Sequence, residues 1–446
     1  MRNVIIILAA VNLAFAAMWG CGAQTGAKAL VDPPTPTPSP SPFPTGKIDH
    51  VVIIVQENRS TDNLFNGFPG ADTVTVGNAG NGTIPLHSYA LEAPGDLYHD
   101  HSSFNIDYDG GRVDGWLGEH WSDKLPPDAP YAYVPASETT PYWTMAQRFV
   151  FADRMFQSNQ GPSFPAHQYL IGGTSKPSDS SALLAAENPG DPTQSKPLGG
   201  CDSPADMLVQ LIDASGSENY KQYPCFDHQT VLDLLDAKGI SWKYYEPRIG
   251  GFWDGPDAIS HIRNSPTDWA RVVKPETKVL TDIAAGTLPQ VSWVIPNGPN
   301  SDHSGAGSKT GPSWVASIVN AIGGSPYWNS TAIFITWDDW GGWYDHVAPP
   351  IYGSYELGFR VPLIIVSPYA KHGYVSHQQH EFGSLLRFVE QDWTLGSLGF
   401  TDARSDDFSD CFDFSQKPAP YQRVDAPYPA SFFLNSHQGF SPPDDY

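Results

Sequence analysis

The stretch Ile48–Arg59, IDHVVIIVQENR, constrains the fold more than any other part of the sequence. Five β-branched apolar residues, Val51 to Val55, stop abruptly at Gln56-Glu57-Asn58-Arg59. A short run of this kind predicts a strand buried on both faces, the habit of a parallel sheet covered by helices. Ligands of such sheets sit just beyond the carboxyl ends of the strands. Glu57 and Asn58 are therefore expected to turn hard oxygen donors into a crevice, where a divalent metal would sit.

The same pattern recurs. Thr331–Thr336, TAIFIT, ends at Trp337-Asp338-Asp339 and then Gly341-Gly342. Gln290–Ile295, QVSWVI, runs into Pro296-Asn297-Gly298 and Ser301-Asp302-His303-Ser304. Arg148–Phe151 leads through a polar loop to Gly161-Pro162-Ser163, and Val361–Val366 closes on Ser367-Pro368. Helical periodicity alternates with these strands. Gln229–Lys238 is amphipathic and leads into strand-like Ile240–Tyr245, while Glu381–Trp393 gathers Phe382, Leu385, Leu386 and Val389 on one face. Such alternation predicts an α/β fold with a mainly parallel central sheet and helices on both sides. The Ser-, Pro-, Gly- and Asp-rich segment Ser175–Pro224 reads as an excursion over the active-site edge.

The first 21 residues read as an export signal: Arg2 precedes an apolar run, Val4–Trp19, that is short for a bilayer span. Gly20-Cys21 resembles a bacterial lipoprotein processing site, and residues 22–46 form a Pro/Thr/Ser-rich tether. A membrane tether through lipidated Cys21 and an ordinary secreted or periplasmic protein with a Pro-rich leader both fit this layout. Residues 47–414 are expected to form one catalytic domain, and residues 415–446 an irregular tail. A formal charge of −23, from 48 acidic and 25 basic residues, excludes the basic footprint of a nucleic-acid binder. Export permits disulfides; Cys201–Cys225 would close a plausible loop, leaving Cys411 free or pairing with one of them. No pair has CxxC spacing, which argues against a cysteine metal site.

Each candidate group has a plainer reading beside the chemical one. Glu57-Asn58 could cap a helix, and Asp338-Asp339 could be a loop pair. Adjacent buried carboxylates repel, however, and need positive charge beside them. These four residues supply enough oxygens for one hard or borderline divalent cation, with Ca, Mg, Mn and Zn all compatible. Ser163, in GPSFP, could be no more than an N-cap. As a hydroxyl at a helix N-terminus it is also placed to attack a phosphate, with a nearby metal lowering its pKa. His99 and His101 (LYHDHSSF), His303 (SDHSG) and His346 (YDHVAPP) lie in polar loops, where they could hydrogen-bond phosphoryl oxygens or protonate a leaving alkoxide. Asp302, beside His303, joins His101 and His346 as a candidate substrate contact.

Four segments then carry a family resemblance: VQENRSTDNLF, the His99 segment before Gly110-Gly111, SNQGPSFPAHQYLIGGTS, and WDDWGGWYDHVAPP. In this order they resemble the bacterial phosphoesterase family of phospholipases C and acid phosphatases, within the alkaline-phosphatase-like superfamily. The resemblance implies a three-layer α/β/α sandwich and a metal held by Glu57, Asn58, Asp338 and Asp339. It implies Ser163 as nucleophile and further metal ligand, with His99 and His303 gripping the phosphoryl group. Many phospholipase-type members carry Thr at the nucleophile, Asn-Arg where this chain has Ala166-His167, and Asp-Glu for Asp338-Asp339. Ser163 and the aspartate pair resemble the acid-phosphatase branch, so a broad phosphatase acting on phosphate monoesters is favoured over a phosphatidylcholine-type phospholipase C acting on phospholipid head groups. A non-catalytic phospho-ligand-binding protein and a sulfatase-like enzyme are weaker alternatives; GPSFPAH lacks the arginine of a sulfatase motif.

Overall fold

The computed structural model describes residues 30–33, 44, 46–190, 199–247, 251–307 and 309–436. The export segment, Cys21 and most of the tether lie outside the described residues. Among the described residues no helix is long and apolar enough to cross a membrane.

Eight strands build the central sheet: β1 His50–Gln56, β2 Val150–Ala152, β3 Trp242–Tyr245, β4 Val272–Val273, β5 Val291–Val294, β6 Thr331–Trp337, β7 Leu363–Val366 and β8 Tyr374–Ser376. Their spatial order is β4-β3-β5-β1-β6-β7-β2-β8. All neighbours run parallel except at β7, which is antiparallel to both β6 and β2. The strand with the longest apolar run is thus central, and Val51 to Val55 are wholly buried. Register puts Gln56 opposite Trp337 and Ile54 opposite Val294, so β5, β1 and β6 end at one level.

The direction of β7 corrects one expectation. Ser367-Pro368 lies at the edge opposite the ends of β1 and β6, and Ser367 Oγ merely accepts from the Tyr369 N–H at 3.2 Å. No helix separates β6 from β7, whereas a parallel crossover usually carries one.

The longer helices are α1 His101–Tyr108, α2 Thr140–Arg148, α3 Ser163–Gly172, α4 Val231–Lys238, α5 Lys278–Ala285, α6 Gly311–Gly323 and α7 Phe382–Asp392; α8 Ala430–Asn435 is shorter. α2, α5 and α8 pack around α6 on one face of the sheet, while α4 and α7 pack around α3 on the other. Phe334 of β6 meets Phe388 of α7 edge-on at 4.9 Å. The result is the expected three-layer α/β/α arrangement. α4 begins two residues later than its periodicity because Thr230 and Asp233 form a capping box, and it ends at Gly239, whose φ of 69° is left-handed.

Residues 415–429 carry no helix or strand, yet they pack on the domain ahead of α8. Tyr421 donates to Asn320 Oδ1 at 2.6 Å, Val424 is buried, and α8 brings Phe433 to 5.3 Å from Trp314. These apolar groups cover α6, so residues 415–436 complete one helical layer. Cys201 and Cys225 are disulfide-bonded, and Cys411 is a buried free thiol.

Candidate active site

Two central strands, β1 and β6, deliver the acidic groups. At the end of β1, the Glu57 N–H donates to the Ser301 carbonyl at 2.8 Å, and Asn58 adopts a left-handed φ of 60°. At the end of β6, the Asp338 N–H donates to the Gln56 carbonyl at 3.0 Å, tying the two motifs together. The Asn58 N–H donates to Asp338 Oδ1 at 3.2 Å, and the Gly341 N–H to Asp339 Oδ1 at 2.8 Å. Gly341 has φ 64°, and a Cβ there would lie 2.3 Å from the Asn58 carbonyl oxygen. Only glycine fits so close an approach at that backbone angle.

Ser163 is the first residue of α3, after Pro162. The turn before it is held by Gln157 and Asn159, which donate to the Gly161 carbonyl at 2.6 and 3.0 Å. Ser163 Oγ then stands 3.5 Å from Glu57 Oε2 and 3.4 Å from Asp339 Oδ2. Ser163, Glu57, Asn58, Asp338 and Asp339 are all fully buried.

Two imidazoles complete the cluster. His99 Nδ1 lies 2.7 Å from the Leu97 carbonyl and His303 Nδ1 2.6 Å from the Ser304 carbonyl, so each donates there. In the neutral rings Nε2 is consequently a lone pair. One edge of the Asn58 amide faces these atoms, at 2.7 Å from His99 and 3.2 Å from His303. The other edge lies 3.2 Å from both Glu57 Oε2 and Asp338 Oδ1. With its nitrogen toward Glu57 Oε2 and Asp338 Oδ1, the amide donates to both carboxylates and its oxygen accepts from Nε2–H of His99 and His303, an arrangement that needs both rings protonated.

The observation that points to an ion is Asp338 Oδ2, which is buried with no hydrogen-bond partner. The donor set therefore fits the divalent ion that the resemblance implies. The reading of sequence missed one member. His167 Nε2 lies 3.3 Å from Glu57 Oε1 and 3.8 Å from Asp338 Oδ2, and its Nδ1 lies 3.1 Å from the Tyr244 hydroxyl. Tyr244 donates to the Trp253 carbonyl at 2.7 Å, so it accepts from Nδ1–H and leaves Nε2 facing the carboxylates. Its signal was the four-residue spacing from Ser163, which puts both on one helix face.

The other sequence candidates lie around this centre, not in it. His101 opens α1, its Nδ1 hydrogen-bonded to Glu218 and its ring edge-on to Tyr355 at 5.2 Å. The excursion supplies Glu218, and also Asn188, whose side chain accepts from the Phe164 N–H at 2.9 Å. Asp302 is turned under the site, where Oδ2 accepts from the Tyr142 hydroxyl at 2.7 Å and from Trp337 Nε1 at 3.3 Å. Its carbonyl accepts from Arg59 Nε at 2.9 Å, so this pair braces the loop that carries His303.

Burial raises the Asp302 carboxyl to about 7, against the opposing pull of Tyr142, Arg59 and Trp337. An acid that keeps its proton in the fold to a higher pH than in the unfolded chain, about 3.9, favours unfolding as pH climbs. That penalty is absent below about pH 4 and fully present above about pH 7. Wild type should therefore lose stability relative to Asp302→Asn between those limits, read from urea unfolding at both ends.

His346 stands apart from the catalytic cluster. Its Nδ1 lies 2.6 Å from Asp62 Oδ2 and its Nε2 3.2 Å from Asp72 Oδ1, beside fully buried Arg360. Arg360 clamps Asp345 through Nε at 2.9 Å and Nη2 at 3.0 Å, and donates to the Asp72 and Asp153 carbonyls. Removing it strands buried carboxylates. Arg360→Ala is expected to cost about 3–5 kcal/mol of unfolding free energy, with chemical denaturation as the measurement.

Comparison with known proteins gives the family. A family model described as the Phosphoesterase family matches residues 48–396, from β1 through α7. The chain belongs to that family. Among Phosphoesterase relatives, the hemolytic phospholipase C of Pseudomonas aeruginosa is 25% identical over 77% of this chain and 52% of its own length. Phospholipase C A of Mycobacterium tuberculosis is 23% identical over 83% of this chain and 78% of its own. This phosphoesterase chain thus spans about half the length of the Pseudomonas relative. A solved structure from the alkaline phosphatase superfamily, of Vibrio parahaemolyticus, is 11% identical, covers 86% of this chain and 76% of its own, and has a TM-score of 0.40.

Proposed function

We propose that this protein is an exported, metal-dependent phosphoesterase that hydrolyses phosphate esters through a phosphoseryl intermediate on Ser163. The observation that carries the reading is the buried Ser163 hydroxyl at a helix N-terminus, within 3.5 Å of carboxylates from two different strands. Glu57, Asn58, Asp338, Asp339 and His167, with Ser163 itself, would hold the ion. When bound, a divalent cation lowers the pKa of the serine hydroxyl and offsets charge on the phosphoryl oxygens.

Ser163 Oγ attacks phosphorus in line, its proton passing to Glu57 or Asp339, while the phosphorus–ester oxygen bond breaks on the opposite side and the leaving oxygen takes a proton from water. Water then cleaves the phosphorus–Oγ bond, releasing phosphate or a phosphorylated head group and restoring the hydroxyl. The α3 N-terminus favours the anion. His99 and His303 have committed Nδ1–H to carbonyls, so only their imidazolium forms can donate from Nε2 to the phosphoryl oxygens. That same protonation supplies the positive charge this transition state needs.

Two substrate classes have separate support. The names of the curated relatives favour a phospholipid head-group ester, while the Ser163 and Asp338-Asp339 pattern favours phosphate monoesters, as in acid phosphatases. Assays of the full chain on p-nitrophenyl phosphorylcholine and p-nitrophenyl phosphate distinguish them. Turnover of the diester alone supports the phospholipase C reading, and turnover of the monoester the phosphatase reading. Silence on both from folded, metal-loaded protein would sink the enzyme reading. Export with a lipid on Cys21 is part of the proposal; labelled fatty acid should be incorporated by wild type and not by Cys21→Ser.

A further inference from the structure

A second group of metal-capable side chains lies beside edge strand β8, remote in sequence from the acidic strand ends. β8 delivers Ser376, His380 precedes α7, and the loop after residue 405 brings back Asp406, Asp410 and Cys411. His380 and Cys411 are buried, at 1% and 0% exposure. His380 Nδ1 lies 2.9 Å from Asp406 Oδ2. Asp406 is itself fixed by Ser384 Oγ at 2.6 Å and the Phe408 N–H at 3.0 Å.

This leaves His380 Nε2 facing inward, 3.1 Å from Ser376 Oγ and 4.0 Å from Asp410 Oδ1. Cys411 Sγ lies 3.4 Å from that same Asp410 oxygen. One nitrogen, one oxygen and one sulfur thus converge, all within 4.8 Å of one another.

We propose that His380, Asp410 and Cys411 form a second, structural site for a borderline divalent ion of the zinc type, with Ser376 or a water as fourth donor. Three features carry it. Mixed imidazole, carboxylate and thiolate donors select such ions over calcium or magnesium. A carboxylate behind the imidazole is the usual outer partner of a metal-bound histidine, fixing the ring and its tautomer. Ligand atoms around a tetrahedral zinc stand about 3.3–3.8 Å apart, so the cluster needs only a small contraction.

The site would pin β8 and the start of α7 to the loop that carries Phe408 at a left-handed φ of 58°. Without metal the thiol donates to Asp410, so binding exchanges that proton for the ion. Cysteine spacing could not reveal it, because the sulfur is one donor of three and its partners are of other types.

Cobalt substitution tests it in the full chain carrying Cys21→Ser, where the disulfide leaves Cys411 as the one free thiol. The candidate catalytic ligands include no sulfur, so thiolate-to-cobalt absorption in the near ultraviolet reports this cluster alone. The expected result is that band, its displacement by zinc, and its loss in Cys411→Ser. Cobalt uptake without the band, or a band that survives Cys411→Ser, would overturn the proposal. That first outcome is read before any further variant is made, so a misfolded Cys411→Ser cannot hide it. Asp406→Asn adds a measurement: it should keep the band and weaken the affinity about tenfold or more, and an unchanged affinity would count against the oriented histidine.

Discussion

Ser163→Ala should lower turnover of the favoured ester by about 10⁴-fold or more, as removal of an acting nucleophile does elsewhere. That is about 5.5 kcal/mol of transition-state stabilisation. The loss should fall on kcat with little change in KM, because the hydroxyl is used only when the new bond forms. Quenched-flow labelling with a phosphorus-labelled substrate gives the sharper check: wild type should trap a phosphoserine on Ser163, and the variant none. Ser163→Thr keeps a hydroxyl at the start of α3 and should retain measurable turnover. If Ser163→Ala kept wild-type rates, Ser163 would be only the cap that its sequence context also permits.

Chelation and Asp338→Asn form the second large effect, and they should converge. Asp338 Oδ2 is a buried oxygen with no hydrogen-bond partner, in a cluster with Glu57 and His167. Removing a cation from that cluster leaves carboxylates facing one another in a buried site, where their repulsion is weakly screened. Activity should fall by about 10³-fold or more on chelation and return with added divalent ion. The chelated protein should also melt lower, because an ion that binds only the native state stabilises it. Asp338→Asn should lower activity comparably while making the melting temperature less sensitive to chelator. Full activity in chelator, at a metal content shown to be zero, would remove the metal from the mechanism.

What the sequence made legible was local polarity at strand ends. The run Val51 to Val55 followed by Glu57-Asn58, and TAIFIT followed by Asp338-Asp339, place four groups through strand period alone. Direction was not legible. VPLIIV looks like any other buried strand, and its antiparallel direction shows only in its pairing with β6, with no helix between them.

Side-chain heading was equally hidden. Asp302 precedes His303 in sequence, yet its φ of 75° sends it under the site toward Tyr142. His346 follows the aspartate motif, but left-handed Gly341 and Gly342 turn the chain so that it meets Asp62 and Asp72. His167 is a polar residue in an apolar helix, and only its four-residue register with Ser163 signals a role.

The central position of β1 has a consequence for biogenesis. Val51 hydrogen-bonds into a ladder with Val291 on one side and Ala332 on the other, so neither edge partner exists when the strand is made. At about 5–20 residues per second, the chain needs roughly ten to fifty seconds of further synthesis before the first partner appears. Throughout that time a fully apolar strand has two open edges, the very template that seeds aggregation. The acidic groups at the ends of β1 and β6 can therefore meet only after the chain has been made as far as Asp339.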